Sequence, residues 1–426
     1  MPRLIYTVCS TDSRVPDVIH ERDRNKALTT IDLFCGAGGL TEGFRQAGFK
    51  CLYGNDAMAE AVQTFSHNHP SVWADGRSIE DISPAEIRKI LKIRRGELDV
   101  LVGGPPCQGF SINAPDRFLS DPRNKLFKDY VRFLDEFQPS AFVLENVPGL
   151  LSIAEGKIFD QILQELKSLG YEVTYRILFA AHYGVPQERW RLIILGSRLG
   201  EIQLPSPTHY AKGVANFRGG RTLTFQIGEA EGKWLHPFVS VGEAIGDLPR
   251  LAMGEGNERV NYNKAANNPF AKTIRNSEGF TFNHYASKLA TQNIERMRYV
   301  KPGGSWRDIP HELLPAGMKK ARKSDHTKRY GRLTKSGLAG TVMTKCDPHW
   351  GAVFLPDQDR ALTVREAARL QSFPDSYEFK GSRVSQYIQV GNAVPVLMAR
   401  AIADNLRAYF DSCFAFDDSA KVAANG

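Results

Sequence analysis

Cys107 stands in the segment Gly103-Gly104-Pro105-Pro106-Cys107-Gln108-Gly109-Phe110-Ser111, directly after Asp99 to Val102, an apolar run that reads as a strand. Two prolines stiffen the backbone ahead of it, and the carboxyl end of a strand is where ligands sit in open α/β sheets. A thiolate presented there is a soft nucleophile, helped by any nearby cation or helix N-terminus. A buried structural cysteine is the other reading. One β-α unit later, Glu145-Asn146-Val147-Pro148-Gly149 closes a second strand, so Glu145 would face the same crevice. A capping or salt-bridged glutamate is the alternative. Gln187-Glu188-Arg189-Trp190-Arg191 leads into a third strand. Alternation would put Arg189 and Arg191 on one face, able to steady a carboxylate or a phosphate, or to lie on the surface.

A second group suits a nucleotide-like ligand. In Ile31-Asp32-Leu33-Phe34-Cys35-Gly36-Ala37-Gly38-Gly39-Leu40, glycines between a strand and a helix allow a tight turn and a close backbone approach. Asp56 ends the next strand, where a carboxylate can accept hydrogen bonds from both hydroxyls of a ribose. Glycine turns with a later acid also occur in dehydrogenases and in purely structural turns. Asp75 falls at the end of a third strand, fit to meet an adenine amino group or to lie on the surface. His67 and His69 read as a solvated pair, and no metal site is expected.

The elements that must position these residues follow a β-α rhythm. Strands are expected at Thr30–Phe34, Cys51–Asn55, Asp99–Val102, Ala141–Leu144 and Arg191–Leu195. Helices are expected at Leu40–Ala47, Ala57–Phe65, Leu126–Phe137 and Ile158–Leu169. After Gly200, Pro and Gly clusters punctuate a weakly periodic stretch, the mark of an irregular second domain. Helical pattern returns at Val364–Leu370 and Val396–Tyr409, and residues 412–426 read as a frayed tail. With 426 residues, 42% hydrophobic and 24% charged, the chain is a soluble globular protein of one large and one smaller domain. It has no apolar run long enough for a membrane and no secretory core at its N-terminus. Six cysteines without a C-x-x-C pair argue against a disulfide framework or zinc ribbon, and place the chain in a reducing cytoplasm. A net charge of +8 invites a polyanion modestly, and the eight Lys or Arg with a single acid between Lys319 and Lys335 read either as a polyanion-binding stretch or as a solvated basic loop.

The order of these motifs resembles the DNA (cytosine-5) methyltransferases: Asp-Leu-Phe-x-Gly-x-Gly-Gly, then Pro-Cys-Gln, Glu-Asn-Val and Gln-x-Arg-x-Arg. Two later segments match as well, Arg360 to Asp375 and Gln389-Val390-Gly391-Asn392-Ala393-Val394-Pro395, so the likeness runs from about Thr29 to Phe410. It implies a class I S-adenosylmethionine-dependent methyltransferase fold, a Rossmann-like, mostly parallel doubly wound sheet carrying a smaller target-recognition domain. Its boundaries would be 27–203 for the catalytic and donor-binding domain and 204–385 for target recognition and hinge. Residues 386–411 would return to the catalytic domain, with 1–26 and 412–426 as extensions.

The resemblance assigns Cys107 the attack on carbon 6 of a flipped cytosine and Glu145 the hold on its N3 and amino group. Arg189 would bridge Glu145 and the base or its phosphate, supported by Arg191. Phe34, Gly36, Gly39, Asp56, Asp75, Pro106 and Asn392 would surround S-adenosylmethionine. Gln108 to Arg123 would close over the base, with Gln108 and Ser111 touching DNA. Lys319, Lys320, Lys323, Arg332 and Lys335 would contact it from the second domain, the lysines of the basic run on phosphates. Thr334, Thr341 and Thr344 join Arg332 and Lys335 as candidate base readers. The partners implied are double-stranded DNA and a restriction endonuclease as functional counterpart, for a monomer in the cytoplasm near the nucleoid. Asp56-Ala57 departs from the family's usual Glu followed by an aromatic, which shortens the ribose contact and leaves adenine without an obvious stacking partner. Leu355-Pro356 stands where many members carry His-Pro. A tRNA methyltransferase of the same chemistry would show a Cys-Phe-Thr signature, which is missing here. A catalytically dead DNA-binding protein would have no need of both Cys107 and Glu145, and a nicotinamide-dependent oxidoreductase leaves Pro-Cys-Gln unexplained.

Overall fold

The apolar runs of the first two hundred residues become strands, and each amphipathic stretch between them becomes a helix. In chain order these are β1 (Thr29–Leu33), α1 (Gly39–Gln46), β2 (Lys50–Asn55), α2 (Ala59–Asn68), β3 (Trp73–Asp75), α3 (Pro84–Leu91) and β4 (Val100–Gly103). There follow α4 (Lys125–Phe137), β5 (Ala141–Asn146), α5 (Lys157–Ser168), β6 (Glu172–Phe179) and β7 (Trp190–Ser197). The structure, a computed structural model, describes residues 27–106, 125–211, 235–322 and 328–424. Cys107, Gln108, Ser111 and Lys323, with the expected closing loop from Gln108 to Arg123, lie outside the described residues.

The strands form one seven-stranded sheet in the order β3-β2-β1-β4-β5-β7-β6, parallel except for β7, which runs against both neighbours. This is the doubly wound sheet expected of a class I methyltransferase. Period-two alternation sends side chains into two cores. Leu101, Phe142, Leu144, Leu192 and Ile194 face α3, α4 and α5, whose Ile87, Phe133 and Ile162 cover them. Val100, Val102, Val143, Ile193 and Leu195 face the other way, toward Leu40 and Phe44 of α1. Burial on both faces explains why these strands read as continuous apolar runs.

Beyond β7 the elements shorten. They are β8 (His209–Tyr210), β9 (His236–Pro237), α6 (Val241–Ile245), β10 (Gly256–Asn261), α7 (Pro269–Ile274), β11 (Phe280–Tyr285) and α8 (Thr291–Tyr299). Then come β12 (Gly331–Arg332), β13 (Ala352–Phe354), α9 (Val364–Leu370), α10 (Arg383–Asn392) and α11 (Val396–Ala424). Small cores around Ile245, Phe270 and Leu370, and around Met297, Trp306 and Phe354, hold this irregular part. Three fully buried arginines, Arg360, Arg365 and Arg369, lie in and just before α9. Arg360, just before it, pairs with Glu366 at 2.8 Å, while Arg369 binds Asp375 at 2.6 Å and also engages Asp247. Helix α11 returns to α1, burying Met398, Ile402, Leu406 and Phe410 in the same core as Phe44. The segment expected to fray after residue 411 continues as helix to Ala424. Among the described residues no helix is long and apolar enough to cross a membrane.

Candidate active site

Strand order reverses between β1 and β4, and the crevice outside the carboxyl ends of such strands is where open α/β sheets bind ligands. The turn after β1 fills one wall. Phe34 there has φ 58°, a left-handed conformation that costs a non-glycine residue roughly 1–3 kcal/mol and persists only where the surroundings enforce it. Between this turn and the ends of β2, β4 and β5 lies a cavity of about 480 Å³. Phe34, Gly36, Gly39, Asp56, Pro106 and Asn392 line it, as do Glu145 and Arg191.

Asp56 is fixed by its own backbone surroundings. The N–H of Gly36 donates to Oδ2 at 2.9 Å and that of Met58 to Oδ1 at 2.8 Å. Burial pushes its carboxyl above the usual range, against the pull of those two N–H groups. A second lone pair on each oxygen stays available to hydroxyl donors in the cavity. Asp75 departs from expectation. It does not line the cavity: Arg77 donates to its carboxylate at 2.7 and 3.1 Å, and the Tyr53 hydroxyl at 3.0 Å. Ser78 and Ile79, just beyond β3, line the wall instead.

At the other end of the cavity Glu145 meets Arg191, whose Nε lies 2.5 Å from Oε1. A Cβ on Gly104 would come within 2.9 Å of Glu145 Oε2, so a larger residue there would push the carboxylate from its present position. Asn146, whose role the sequence did not reveal, ties β5 to the turn after β4. Its Nδ2 donates to the Pro105 carbonyl at 3.0 Å, and its Oδ1 accepts from the Val147 N–H at 2.8 Å. The backbone entering Cys107 is thereby held next to the Glu145 carboxylate.

Arg189 is not the partner of Glu145. It precedes β7, so strand alternation does not reach it, and its guanidinium is buried among carbonyls of Val342, Gly391 and Ala393. Burial drives its pKa well below the ordinary arginine value. The basic run is dispersed too. Lys319 and Lys320 are exposed, and Lys335 pairs with Asp357 at 2.9 Å. Arg332 is not placed to read bases: it is 8% exposed and donates to the Val300, Leu355 and Met297 carbonyls at 2.7, 3.0 and 3.0 Å. Thr341 donates to the Glu188 carbonyl at 2.7 Å. His69 is buried against Tyr377 rather than solvated, and His67 pairs with Glu378 at 2.9 Å.

The model of the C-5 cytosine-specific DNA methylases matches residues 28–408. The chain belongs to that family. Its activity is that of a DNA (cytosine-5-)-methyltransferase, and the family uses S-adenosylmethionine. The type II methyltransferase M.AgeI of Thalassovita gelatinovora is 34% identical over 89% of this chain and 99% of its own length. M.DdeI of Desulfomicrobium norvegicum, also a type II methyltransferase, is 34% identical over 92% and 91%. A prophage-encoded E. coli protein described as a DNA modification methyltransferase shares the fold, with a TM-score of 0.69 at 22% identity over 90% of this chain and all of its own.

The methylase's cavity suits the family's donor on its own chemistry. The volume falls within the range of ligand pockets, roughly 300–1,000 Å³. A carboxylate held by two backbone N–H groups stands at one end, Ile79, Leu126 and Val147 supply apolar walls, and the far end opens beside Glu145. Where many members place an aromatic, exposed Ala57 and half-buried Met58 line the wall.

Proposed function

We propose that this methylase transfers a methyl group from S-adenosylmethionine to carbon 5 of a cytosine flipped out of a short, specific double-stranded DNA site, through a covalent adduct with Cys107. The observation that carries this reading is the Glu145–Arg191 pair, 2.5 Å apart, at the end of the cavity that Pro106 also lines. Asp56 would take the ribose, Phe34, Ser78 and Ile79 would flank the adenosine, and Asn392 would close the opposite wall. Bound there, the donor supplies a sulfonium-linked methyl, an electrophile for an activated carbon.

The chain's own residues would activate that carbon. Carbon 6 is stacked inside a duplex, so the base must leave the helix before a thiolate can reach it. The Cys107 thiolate forms a bond to carbon 6 while Glu145 delivers a proton to N3, which leaves carbon 5 with enamine character. After transfer, a water takes the carbon 5 proton, the electrons of that bond form the carbon 5–carbon 6 double bond and expel the Cys107 thiolate, and N3 returns its proton to Glu145, which restores the neutral aromatic ring. Arg191 holds the Glu145 carboxyl group in place and stabilises the carboxylate left once its proton has gone to N3. Likeness to type II methyltransferases supports a role in protecting host DNA from a companion restriction endonuclease, with a recognition site of about four to six base pairs. Bisulfite sequencing of DNA from cells expressing the chain tests the reading. Protected cytosines in one short context are expected, and a pattern identical to that of cells without the chain would refute it.

A further inference from the structure

Arg189 and Gln187 belong to the motif that leads into β7, yet neither touches the cavity. Both are buried, with 1% and 0% exposure. Together they hold both backbone polar groups of one residue: the Val342 N–H donates to Gln187 Oε1 at 2.7 Å, and the Val342 carbonyl accepts from Arg189 Nη1 at 3.2 Å. The same guanidinium donates through Nη2 to the carbonyls of Gly391 at 2.8 Å and Ala393 at 3.1 Å. Those carbonyls end α10, where the helix dipole favours a cation and the last C=O groups need donors. Gln187 Nε2 continues the chain of bonds to Gln371 Oε1 at 2.9 Å, and Gln371 Nε2 donates to Val390 O at 2.7 Å and Ala393 O at 3.2 Å. Contact is direct as well. A Cβ on Gly391 would lie 2.6 Å from the Met343 carbonyl and the Thr344 nitrogen, so the 342–344 backbone is pressed onto the end of α10.

Two functional surfaces meet at this node. On one side Val342 leads into exposed Met343 and Lys345, in the part of the chain where target recognition is expected. On the other, Gly391, Asn392, Ala393 and Val394 form a wall of the donor cavity. Because the guanidinium and the two amides are dry, displacing Val342 leaves buried donors unpaired unless the α10 end moves with it.

We propose that Gln187, Arg189 and Gln371 are positioning residues that couple DNA docking on the 341–345 segment to closure of the donor cavity. The proposal rests on the function proposed above. Each ligand then strengthens binding of the other by the same factor. The test measures S-adenosylhomocysteine binding by calorimetry, with and without a duplex bearing the site mapped by bisulfite sequencing. The unsubstituted protein should show a coupling factor of at least about fivefold. Arg189→Lys keeps a cation that cannot reach all three carbonyls, and Gln187→Met removes the amide bonds at similar volume. Both should bind S-adenosylhomocysteine alone within about twofold of the unsubstituted protein, with the coupling factor falling below about two. Variants that keep the full factor, or an unsubstituted protein with none, would overturn the proposal. Should the variants fail to fold, hydrogen exchange on the unsubstituted protein decides. Adding S-adenosylhomocysteine alone should slow exchange at the Val342–Thr344 amides, and unchanged exchange there defeats the coupling. A protein that methylates DNA without coupling sinks the node alone, whereas one that methylates none sinks the function with it.

Discussion

Glu145 and Arg191 come from neighbouring antiparallel strands, and their separation of 2.5 Å makes each the other's orienting group. Replacing Arg191 by Met should leave donor binding near its original level and lower kcat at least tenfold, about 1.4 kcal/mol of transition-state stabilisation. Steady-state kinetics checks this; a rise in KM at unchanged kcat would mean that Arg191 binds substrate without serving the reaction. For Cys107→Ala the expectation is loss of methyl transfer with retained DNA binding, because the thiol makes the covalent bond while other groups hold the duplex. Residual turnover above about a thousandth of the original would remove the thiol from that role. Glu145 and Asp56 stood out in the sequence because motif order and strand ends fix where they lie. Which arginine meets Glu145 did not stand out. Residues 189 and 191 have equal parity along an extended chain, and only the start of β7 at Trp190 separates them. Asn146 was hidden for another reason: its bond to Pro105 crosses between strands, and spacing along the chain carries no trace of it.

The same contrast holds for elements. Helices with a continuous apolar stripe, such as α4 and α5, were legible to within a residue or two, whereas β6 was missed. It lies at the sheet edge with its first five residues exposed or half-buried, so it shows neither a buried run nor clean alternation. The basic run misled differently, since charge in sequence does not distinguish a cation facing solvent from one that secures carbonyls inside. Lys319 and Lys320 are exposed, and replacing both with Gln should weaken binding to cognate and scrambled duplexes alike. The slope of log affinity against log salt should flatten by about two units. An altered cognate preference at constant slope would move these lysines from the phosphates to the bases. Arg332→Met should act on stability instead, because three buried carbonyls lose their donor. A loss on the order of 3 kcal/mol in urea unfolding is expected. Base preference should stay the same, and a changed preference in a stable variant would restore Arg332 as a reader.

At the scale of the molecule, the sequence order of motifs foretold the sheet, but not how its two halves are pinned together. One pin is His69 at the end of α2, buried at 3% exposure against Tyr377 from the far part of the chain. The Tyr377 hydroxyl has one proton and donates it to the Ala37 carbonyl, so His69 Nε2 at 3.1 Å must be the donor to Tyr377. Burial pushes this imidazole down to about 4, although Glu42 favours the charged form and Arg45 opposes it. Below pH 6.5 the unfolded chain therefore binds a proton at residue 69 that the folded protein refuses, and stability falls as pH drops toward 4. Asp32, under the glycine turn, works in the opposite sense. Burial raises its carboxyl to about 7, so the folded protein keeps a proton that the unfolded chain has already released above pH 3.8, and stability falls as pH rises through that window. The two effects offset each other between pH 4 and 6.5, and pH scans of the unsubstituted protein alone would hide both. His69→Gln separates them, since an amide can still donate to Tyr377 but takes up no proton. The stability advantage of the unsubstituted protein over this variant should shrink by on the order of 3 kcal/mol between pH 6.5 and 4, while Asp32 cancels from the difference. Urea unfolding of both proteins at several pH values measures it. An advantage that stays constant across that range would mean that His69 is as free to protonate in the folded protein as in the unfolded chain, and that the pin carries no pH dependence.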